Sequence, residues 1–431
     1  MAKSVGLRRR RQEEQQAGSG IGLQYSDQRE RVNMLEIGKA EAAAAARVIE
    51  STYLFRYGDP KEGHANECLK FERELAKKIG SDQTLLVTSG TAALVCALAG
   101  IGVGPGDEVI VPAYTFIASA LAPLTLGALP VIADVDESLT LDPKDVEAKI
   151  SRRTKAIMPV HMVGLPANLN AIMRVARKHK VKVLEDAAQA FGGRYKGRSL
   201  GTIGDIGAYS FNYFKNATAG EGGAVVTNEE EMFMRALMHH DGGLSFWPHG
   251  KPFSLPVFAG WNYRASEIQG AILRVQLRKI ERLLAKTRRQ KKQIVEAVAA
   301  HPTLRTIKHN DREGDCSTVA ALRFKNEEQA RGFAARLEEQ GEGCMLPIDS
   351  GRHVYTNWEA IMEKRGSYHP ALDAFKRPEN QGSKARYEPD MCPRTLGILR
   401  RPVFLSLRPQ TTAAEARKRI RAIETAAEDL R

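Results

Sequence analysis

Three short motifs between residues 88 and 223 combine residue types that can do chemistry. The first is TSGTA at 88–92, where a run of apolar residues gives way to a helical pattern. Small residues at such a junction let backbone N–H groups approach an anion at the positively polarised end of a helix. The same residues also make a good helix N-cap. Alone, the motif indicates either an anion site or an ordinary helix start.

The second motif is an acidic pair. Glu185 and Asp186 follow the apolar run VKVL and precede AAQ. A carboxylate at the carboxyl end of a parallel strand faces the crevice in which open α/β sheets bind their ligands. An acid in that place can bind Mg²⁺, a ribose or a protonated ring nitrogen, and it can equally cap the segment that follows.

The third motif is centred on Lys215, which follows SFNYF and precedes the glycine-rich turn GEGG at 220–223. A lysine held among apolar groups has its charged form disfavoured, and its free amine is a nucleophile for carbonyl groups. A solvated surface lysine is the alternative interpretation of this residue taken alone.

Taken together, the three motifs fit one cofactor, pyridoxal 5′-phosphate (PLP). PLP needs an amine for its aldehyde, an acid for its ring nitrogen and an anion pocket for its phosphate. Lys215 and Asp186 would supply the first two, and the TSGTA turn with the hydroxyl of Ser210 would supply the third. An ionised Asp186 keeps the pyridine ring protonated, so that the ring withdraws electrons from the substrate carbon.

No metal site is predicted. The five cysteines are odd in number and lack CxxC spacing, which disfavours a zinc site or a disulfide framework. His239, His240 and Asp241 are adjacent in the chain, and adjacent residues on a helix or turn do not face one site.

Alternating strands and helices would position these motifs. Short runs rich in Val and Ile, such as TLLVTSG, DEVIVPA and VKVLEDAA, are separated by helical stretches at 91–100, 116–126, 142–150 and 167–180. This order is typical of βαβ units and of a largely parallel sheet. AYSFN and GGAVVTN follow each other too closely for a helical crossover, so one side of the sheet is expected to be antiparallel.

The patterns divide the chain into a polar N-terminal arm at 1–34, a large domain at 35–285 and a smaller α+β domain at 286–431. An apolar stripe predicts one or two long helices at 265–300, which would join the two domains. Residues 345–400 are irregular, and a loop of that length is usually functional or mobile.

The composition excludes several classes of protein. Of the 431 residues 43% are hydrophobic, which is enough for a sizeable core and rules out a wholly disordered chain. No apolar stretch reaches the ~18 residues of a membrane helix, and no apolar segment follows the basic start, so a cytoplasmic protein is expected. The net charge of +13 favours acidic partners, but no nucleic-acid module accompanies it, and no nucleic-acid partner is expected.

Six motifs together resemble the DegT/DnrJ/StrS family of fold-type-I aminotransferases that act on sugars. They occur in the family's order between about residues 35 and 285: SGTAAL, VPAYTFIAS, TKAIMPVHMVG, EDAAQA, SFNYFKN with GEGG, and GWNYRASEIQGA. The resemblance implies an α/β fold with a large, mostly parallel sheet between helices and a smaller C-terminal α+β domain. It also implies an enzyme that uses PLP and no metal.

The resemblance implies a role for each matching residue. Lys215 resembles the Schiff-base lysine and Asp186 resembles the partner of the pyridine nitrogen, so these two would be the catalytic residues. Gln189 would face the phenolic oxygen of the cofactor, and Phe116 would stack on its ring. The phosphate would be held by Gly90, Thr91, Ser210 and, from the other subunit, Asn262. A homodimer with its active site at the interface is therefore implied.

Two further groups of residues have alternative roles. His161 matches a family position and is expected in the core, whereas Glu221 would either shape the substrate side of the lysine loop or cap it. Candidates for carboxylate or hydroxyl contacts, with a solvated loop as the alternative, are Arg352, His353, Tyr355 and Arg394.

The implied activity moves an amino group, in two stages, from glutamate or glutamine to the carbonyl carbon of a sugar, sugar nucleotide or sugar acid. C-terminal matches such as HVYTNWEAI resemble the branch of 8-amino-3,8-dideoxy-manno-octulosonate transaminase, which would make 8-oxo-octulosonate the acceptor.

Lys215 argues against dehydratases of the 3-dehydrase kind, which carry histidine at that position. Two alternatives stay open: a dehydrating, aromatising enzyme of the 3-amino-5-hydroxybenzoate synthase type, and a non-catalytic regulator that binds PLP or DNA.

Overall fold

The computed structural model describes residues 36–244 and 255–428, so the predicted arm at 1–34 lies outside the described residues. The strands are β1 (Gln83–Val87), β2 (Glu108–Pro112), β3 (Leu129–Ala133), β4 (Thr154–Ile157), β5 (Lys182–Asp186), β6 (Arg194–Tyr195), β7 (Arg198–Ser199), β8 (Ile206–Ser210), β9 (Gly223–Thr227), β10 (Arg305–Thr306), β11 (Val319–Arg323) and β12 (Pro402–Ser406). The α-helices are α1 (Lys39–Glu50), α2 (Glu67–Ile79), α3 (Gly90–Ile101), α4 (Ala118–Thr125), α5 (Pro143–Lys149), α6 (Leu169–His179), α7 (Glu230–His240), α8 (Glu267–Ala300), α9 (Glu327–Glu339), α10 (Glu359–Met362), α11 (Pro393–Leu399) and α12 (Ala413–Ala427).

A seven-stranded sheet forms the centre of the large domain, in the order β1-β9-β8-β5-β4-β2-β3. Strands β8, β5, β4, β2 and β3 are parallel to one another. Strand β9 runs antiparallel to both of its neighbours, β8 and β1. The mostly parallel sheet is therefore confirmed, and so is the antiparallel pairing of AYSFN with GGAVVTN.

Helices cover both faces of this sheet because its strands are apolar on both sides. In β1, Leu85 and Val87 pack into a core cluster with α3, α4 and α7. The intervening Leu86 points the other way and packs with α2 and α8. The sheet is thus enclosed between helices, and only its edges and strand ends remain for a binding site.

Helix α8 is one helix of 34 residues that reaches from the large sheet into the smaller unit. The predicted stripe from Leu273 to Leu284 is buried against the large sheet, whereas Ile294 and Val298 pack with β11, β12, α9 and α12. Strands β10, β11 and β12 form a three-stranded antiparallel sheet. A domain boundary at residue 285 remains a proposal, and it falls inside α8.

Residues 345–400 pack partly on the large domain, although the proposed division assigns them to the small one. Short 3-10 turns with α10 and α11 make up this segment. Tyr355, Trp358 and Ile361 are fully buried in the same core cluster as α3. Backbone pairing is the cause: the N–H of Tyr355 donates to the carbonyl of Ala113 at 3.0 Å. The pairing brings residues 351–355 to the carboxyl end of β2.

Candidate active site

The carboxyl ends of the mutually parallel strands lie at one edge of the large sheet. β1 and β8 both run antiparallel to β9, so they are parallel to each other and to β5, β4 and β2. The TSGTA turn follows β1, Asp186 ends β5, and Lys215 follows β8. Ligands of open α/β sheets bind outside such strand ends. The topology therefore collects the three predicted motifs in one place.

Asp186 is a buried acid with a hydrogen-bond donor on each oxygen. The hydroxyl of Ser119 donates to Oδ2 at 2.7 Å, and the N–H of Ala188 donates to Oδ1 at 3.1 Å. Burial raises the pKa of Asp186 above its ordinary value, and these two donors and Lys215 oppose that rise. A cationic partner, such as a protonated ring nitrogen, would complete the pairing of this carboxylate.

Ser119 is a residue of the candidate site that the sequence-based prediction missed. Ser119 and Thr115 are both 1% exposed, and their hydroxyl oxygens lie 2.7 Å apart. An ionised carboxylate can only accept, so the Ser119 proton points to Asp186 and Thr115 donates to Ser119. The only signal in the sequence was the motif VPAYTFIAS, which contains both residues without assigning them a role.

The adjacent Glu185 stabilises the end of β5 through hydrogen bonds to neighbouring segments. It is fully buried and accepts hydrogen bonds from His161 Nε2 at 3.0 Å and from the N–H groups of Gly201 and Gly204. These bonds outweigh burial and lower the pKa of Glu185. The His161 Nδ1 accepts from the N–H of Ala167, so His161 is a satisfied core residue, as expected.

Lys215 lies in a turn whose backbone is closed by its own hydrogen bonds. The N–H of Lys215 donates to the carbonyl of Asn212 at 3.0 Å, and the N–H of Tyr213 donates to the carbonyl of Gly220 at 2.8 Å. The residue as a whole is half-buried. Burial of its amine lowers the pKa of Lys215, while the charges of Asp186 and Glu221 oppose that shift. Asp186 ends β5 and Lys215 follows the neighbouring parallel strand β8, so both residues lie at the same end of the sheet.

The TSGTA turn forms an anion cradle together with Ser210. Ser89 caps α3 by accepting from the N–H of Ala92, and the N–H groups of Gly90 and Thr91 have no partner among the described residues. A Cβ on Gly90 would lie 2.6 Å from the Cβ of Ser210, so only glycine allows this close approach. The turn therefore caps the helix, as one interpretation predicted, and its free N–H donors are compatible with the anion site that the other interpretation predicts.

Phe116 and Gln189 line the same strand ends. Phe116 is 44% exposed, which is incompatible with an ordinary core residue, and its ring centroid lies 5.5 Å from that of His353. The Oε1 of Gln189 accepts from the N–H of Val163 at 3.1 Å, which leaves the amide N–H groups of Gln189 as donors. An exposed ring and a fixed amide donor suit the flat face and the phenolic oxygen of a pyridine cofactor.

Several other candidates lie apart from this site. Tyr355 is buried and donates to the carbonyl of Pro389, and Arg394 pairs with Asp142 at 2.9 Å. Asn262 is exposed, and within the described residues no hydrogen bond joins it to the anion cradle. Glu221, by contrast, belongs to the lysine loop: its charge acts on Lys215, and it accepts from the Nδ2 of Asn212 at 2.7 Å, which fits either of its two expected roles.

The adjacent pair His239 and His240 does not form a metal site with Asp241. His240 faces Arg56 at 3.1 Å, and Asp241 pairs with Arg264 at 2.8 Å. Across residues 36–244 and 255–428, no group of three or more potential ligands could hold a metal ion. Over the same ranges, no helix has the length and apolar character needed to span a bilayer.

The residues present fit PLP in three respects. They provide an amine with a lowered pKa, a buried acid at the end of the adjacent parallel strand, and a cradle with free N–H donors where any Cβ at Gly90 would clash. Lys215, Asp186, Gly90, Thr91 and Ser210 would hold the group.

Comparisons with known proteins agree with this assignment. The family model described as DegT/DnrJ/EryC1/StrS aminotransferase family matches residues 37–365. The chain is 41% identical over 249 residues to 3-amino-5-hydroxybenzoate synthase of Amycolatopsis mediterranei, covering 57% of this chain and 62% of that protein. It is 40% identical over 218 residues to GDP-perosamine synthase of Caulobacter vibrioides, covering 50% and 58%. The chain thus spans about three fifths of the length of these relatives.

A solved structure extends the likeness along the chain. The aminotransferase from Psychrobacter cryohalolentis superposes with a TM-score of 0.74 at 28% identity, covering 90% of this chain and 97% of that one. The similarity therefore includes the smaller C-terminal unit, which the sequence matches reach only in part.

Proposed function

The chain belongs to the DegT/DnrJ/EryC1/StrS aminotransferase family, and from that premise we propose that it is a cytoplasmic PLP-dependent transaminase. It would move an amino group from glutamate or glutamine to the carbonyl carbon of a sugar, sugar nucleotide or sugar acid. The observation that carries this proposal is the placement of Asp186 and Lys215 at the carboxyl ends of the adjacent parallel strands β5 and β8, where burial raises the pKa of the carboxyl group and lowers the pKa of the amine.

Each residue of the site has one task in this reaction. When bound, PLP withdraws electrons from the carbon that carries the migrating amino group. The lowered pKa of Lys215 favours its neutral form, in which Nζ can take the proton from that carbon and return it to a neighbouring atom. Asp186 stabilises a proton on the ring nitrogen by its negative charge. Gly90, Thr91 and Ser210 bind the phosphate and so fix the position at which proton transfer occurs.

The acceptor within this proposal is a keto or aldehyde sugar. GDP-perosamine synthase and UDP-N-acetyl-3-dehydro-alpha-D-glucosamine 3-aminotransferase are among the relatives, and their names describe amino sugars. The C-terminal motifs point to 8-oxo-octulosonate as a further candidate. The likeness to 3-amino-5-hydroxybenzoate synthase favours a second candidate function, a dehydrating and aromatising reaction that also needs the lysine.

The proposal is tested by incubating the protein with several acceptors and measuring the mass of each product. The holoprotein is incubated with L-glutamate or L-glutamine and with one of three acceptors: UDP-N-acetyl-3-dehydro-α-D-glucosamine, GDP-4-keto-6-deoxymannose or 8-oxo-octulosonate. We expect one acceptor to gain an amino group in place of its carbonyl oxygen, with matching formation of the oxo acid from the donor. Loss of water with no net amination would favour the second candidate. If neither donor is deaminated with any acceptor, the proposal is wrong.

We further propose a homodimer in which Asn262 binds the phosphate of the partner subunit's cofactor. Asn262 is exposed, and so are three apolar side chains near it in the stretch 255–264: Val257 (55%), Phe258 (38%) and Trp261 (66%). An apolar surface of this kind is typical of an interface between subunits. Since Asn262 has no bond to the cradle of its own chain within the described residues, a cradle of a second copy is its natural partner.

Mixing two defective variants tests this arrangement. Lys215→Ala and Asn262→Ala chains are unfolded and refolded together, and activity is assayed at a PLP concentration that leaves the Asn262→Ala homodimer mostly empty. Random pairing makes half of the dimers mixed. In a mixed dimer one of the two sites is intact, because it takes Lys215 from one chain and Asn262 from the other. About a quarter of wild-type activity should therefore return. No gain over the separate variants would show that Asn262 does not act across the interface.

A further inference from the structure

His353 is held in the active site by backbone pairing over more than two hundred residues of sequence. The N–H of Thr115 donates to the carbonyl of His353 at 2.9 Å, and the N–H of Ile117 donates to the carbonyl of Arg352 at 3.2 Å. These two bonds flank Phe116, whose ring lies 5.5 Å from the imidazole at an interplanar angle of 52°. The imidazole is therefore fixed beside the ring that would contact the cofactor.

The hydrogen bonds of His353 define which of its nitrogens carries the proton. Nδ1 lies 3.0 Å from the carbonyl oxygen of Ser350, and a carbonyl oxygen only accepts, so Nδ1 is protonated. Burial and the nearby charge of Lys215 lower the pKa of His353, although the bond to Ser350 opposes that shift. A neutral imidazole protonated at Nδ1 presents Nε2 as an acceptor. No hydrogen-bond partner of Nε2 occurs among the described residues.

We propose that His353 is a specificity residue, whose Nε2 accepts a hydrogen bond from a hydroxyl group of the sugar acceptor next to its carbonyl carbon. The inference rests on the proposed function, and it specifies which group of the acceptor the site recognises. An acceptor nitrogen cannot bind a carboxylate, a phosphate or a carbonyl oxygen, because these groups also only accept. Sugars, by contrast, carry hydroxyl donors on the carbons beside the carbonyl.

L-Glutamate, the donor used as the probe, lacks the matching group. Apart from the amino group that is transferred, L-glutamate presents carboxylate oxygens, which are acceptors. His353 should therefore contribute more to the reaction with the sugar than to the reaction with L-glutamate. A site that pairs a substrate hydroxyl discriminates strongly, because the wrong ligand leaves a buried polar group without a partner.

Nitrogen NMR of the holoprotein tests the proton assignment without turnover. In ¹⁵N-histidine-labelled protein the His353 signals are identified by their loss in His353→Gln, with His369→Gln as the matched control at an exposed histidine of the same segment. We expect a neutral Nδ1–H imidazole at pH 7, with a titration midpoint below the ordinary value of about 6.5. A protonated Nε2 or a midpoint above that value would overturn the proposal.

The proposed role of His353 is tested by measuring two half-reactions separately, the one with L-glutamate and the one with the keto sugar. The probes are L-glutamate and whichever of the three keto sugars in the screen the wild type aminates fastest. His353→Asn keeps a donor for Ser350 but has no acceptor at the Nε2 position, whereas His353→Gln can place an oxygen there. We expect His353→Asn to lower kcat/KM for the sugar about tenfold more than for L-glutamate, and His353→Gln to recover part of that loss.

Failure of this inference differs from failure of the proposed function. If His353→Asn slows both half-reactions equally, or if His353→Phe matches the wild type with the sugar, His353 does not read the acceptor. In that case the wild type still aminates a sugar, and the proposed function stands. If the wild type converts no keto sugar at all, both the function and this inference fall.

Discussion

Replacing Lys215 by alanine is expected to lower the rate of transamination by about 10⁴-fold or more and to remove the visible absorption of the holoprotein. Lys215 is the amine with a lowered pKa at the strand ends, so the variant loses both the group that binds the cofactor's aldehyde and the base that moves the proton. Absorption spectra and the rate of oxo-acid formation from L-glutamate measure the two losses.

Lys292→Ala is the matched control for this variant. The side chain of Lys292 is 77% exposed on α8, and its nearest acid, Glu296, is 3.8 Å away, so its removal should leave spectrum and rate unchanged. The assignment of Lys215 would be contradicted by a Lys215→Ala protein that keeps the spectrum and the transamination rate of the wild type.

Replacing Asp186 by asparagine is expected to lower the rate by about 10²–10³-fold while the protein still binds PLP, because a neutral amide cannot hold the charge on the ring nitrogen. The size of the side chain is unchanged, so the fold should persist. Ser119, which donates to the lost carboxylate oxygen, can also donate to the amide oxygen. Rates of the L-glutamate half-reaction at saturating PLP measure the effect, and a rate within threefold (roughly 0.7 kcal/mol) of the wild type would exclude the proposed role.

Ser119→Ala gives a milder test of the same carboxylate through its pH profile. The Ser119 hydroxyl lowers the pKa of Asp186, and its loss leaves burial less opposed, so the pKa of Asp186 should rise. Activity that depends on the ionised form is present above the pKa and lost below it. The acidic limb of the profile should therefore move to higher pH, whereas a purely structural role of Ser119 would lower activity at every pH alike.

The arrangement of Lys215, Asp186 and the TSGTA turn could be predicted from the sequence because each motif follows a strand. Once the strands are parallel, their carboxyl ends must share one edge, and the chemistry of the residues then indicates what binds there. The antiparallel β9 does not disturb this, since β1 and β8 keep the same direction on either side of it.

Ser119 and His353 could not be predicted in the same way. Ser119 is a common residue type in a helix start, and only the position of Asp186 across the site shows that its hydroxyl has a partner. His353 was one of four candidates in an irregular segment, and its side chain carries no periodic signal. Its place is decided by backbone hydrogen bonds to residues 115–117, which depend on tertiary packing and not on side-chain type.

The position of Asn262 remains a prediction for a different reason. Its proposed contact joins two subunits, and the geometry of one chain contains no second cradle against which to measure it. What the structure adds is that Asn262 is exposed next to Trp261, the most open of the large apolar side chains in that stretch. Exposure of this kind makes Asn262 accessible to a second subunit, which the mixed-variant experiment tests.

Borohydride reduction of the holoprotein, followed by mass spectrometry of its peptides, tests the central claim most directly. Reduction makes the link between the cofactor and its lysine permanent, and the peptide that carries the added mass identifies the lysine. The account predicts one adduct per chain, on Lys215, and none in the Lys215→Ala protein. An adduct on another lysine of the wild type, or none at all, would contradict it.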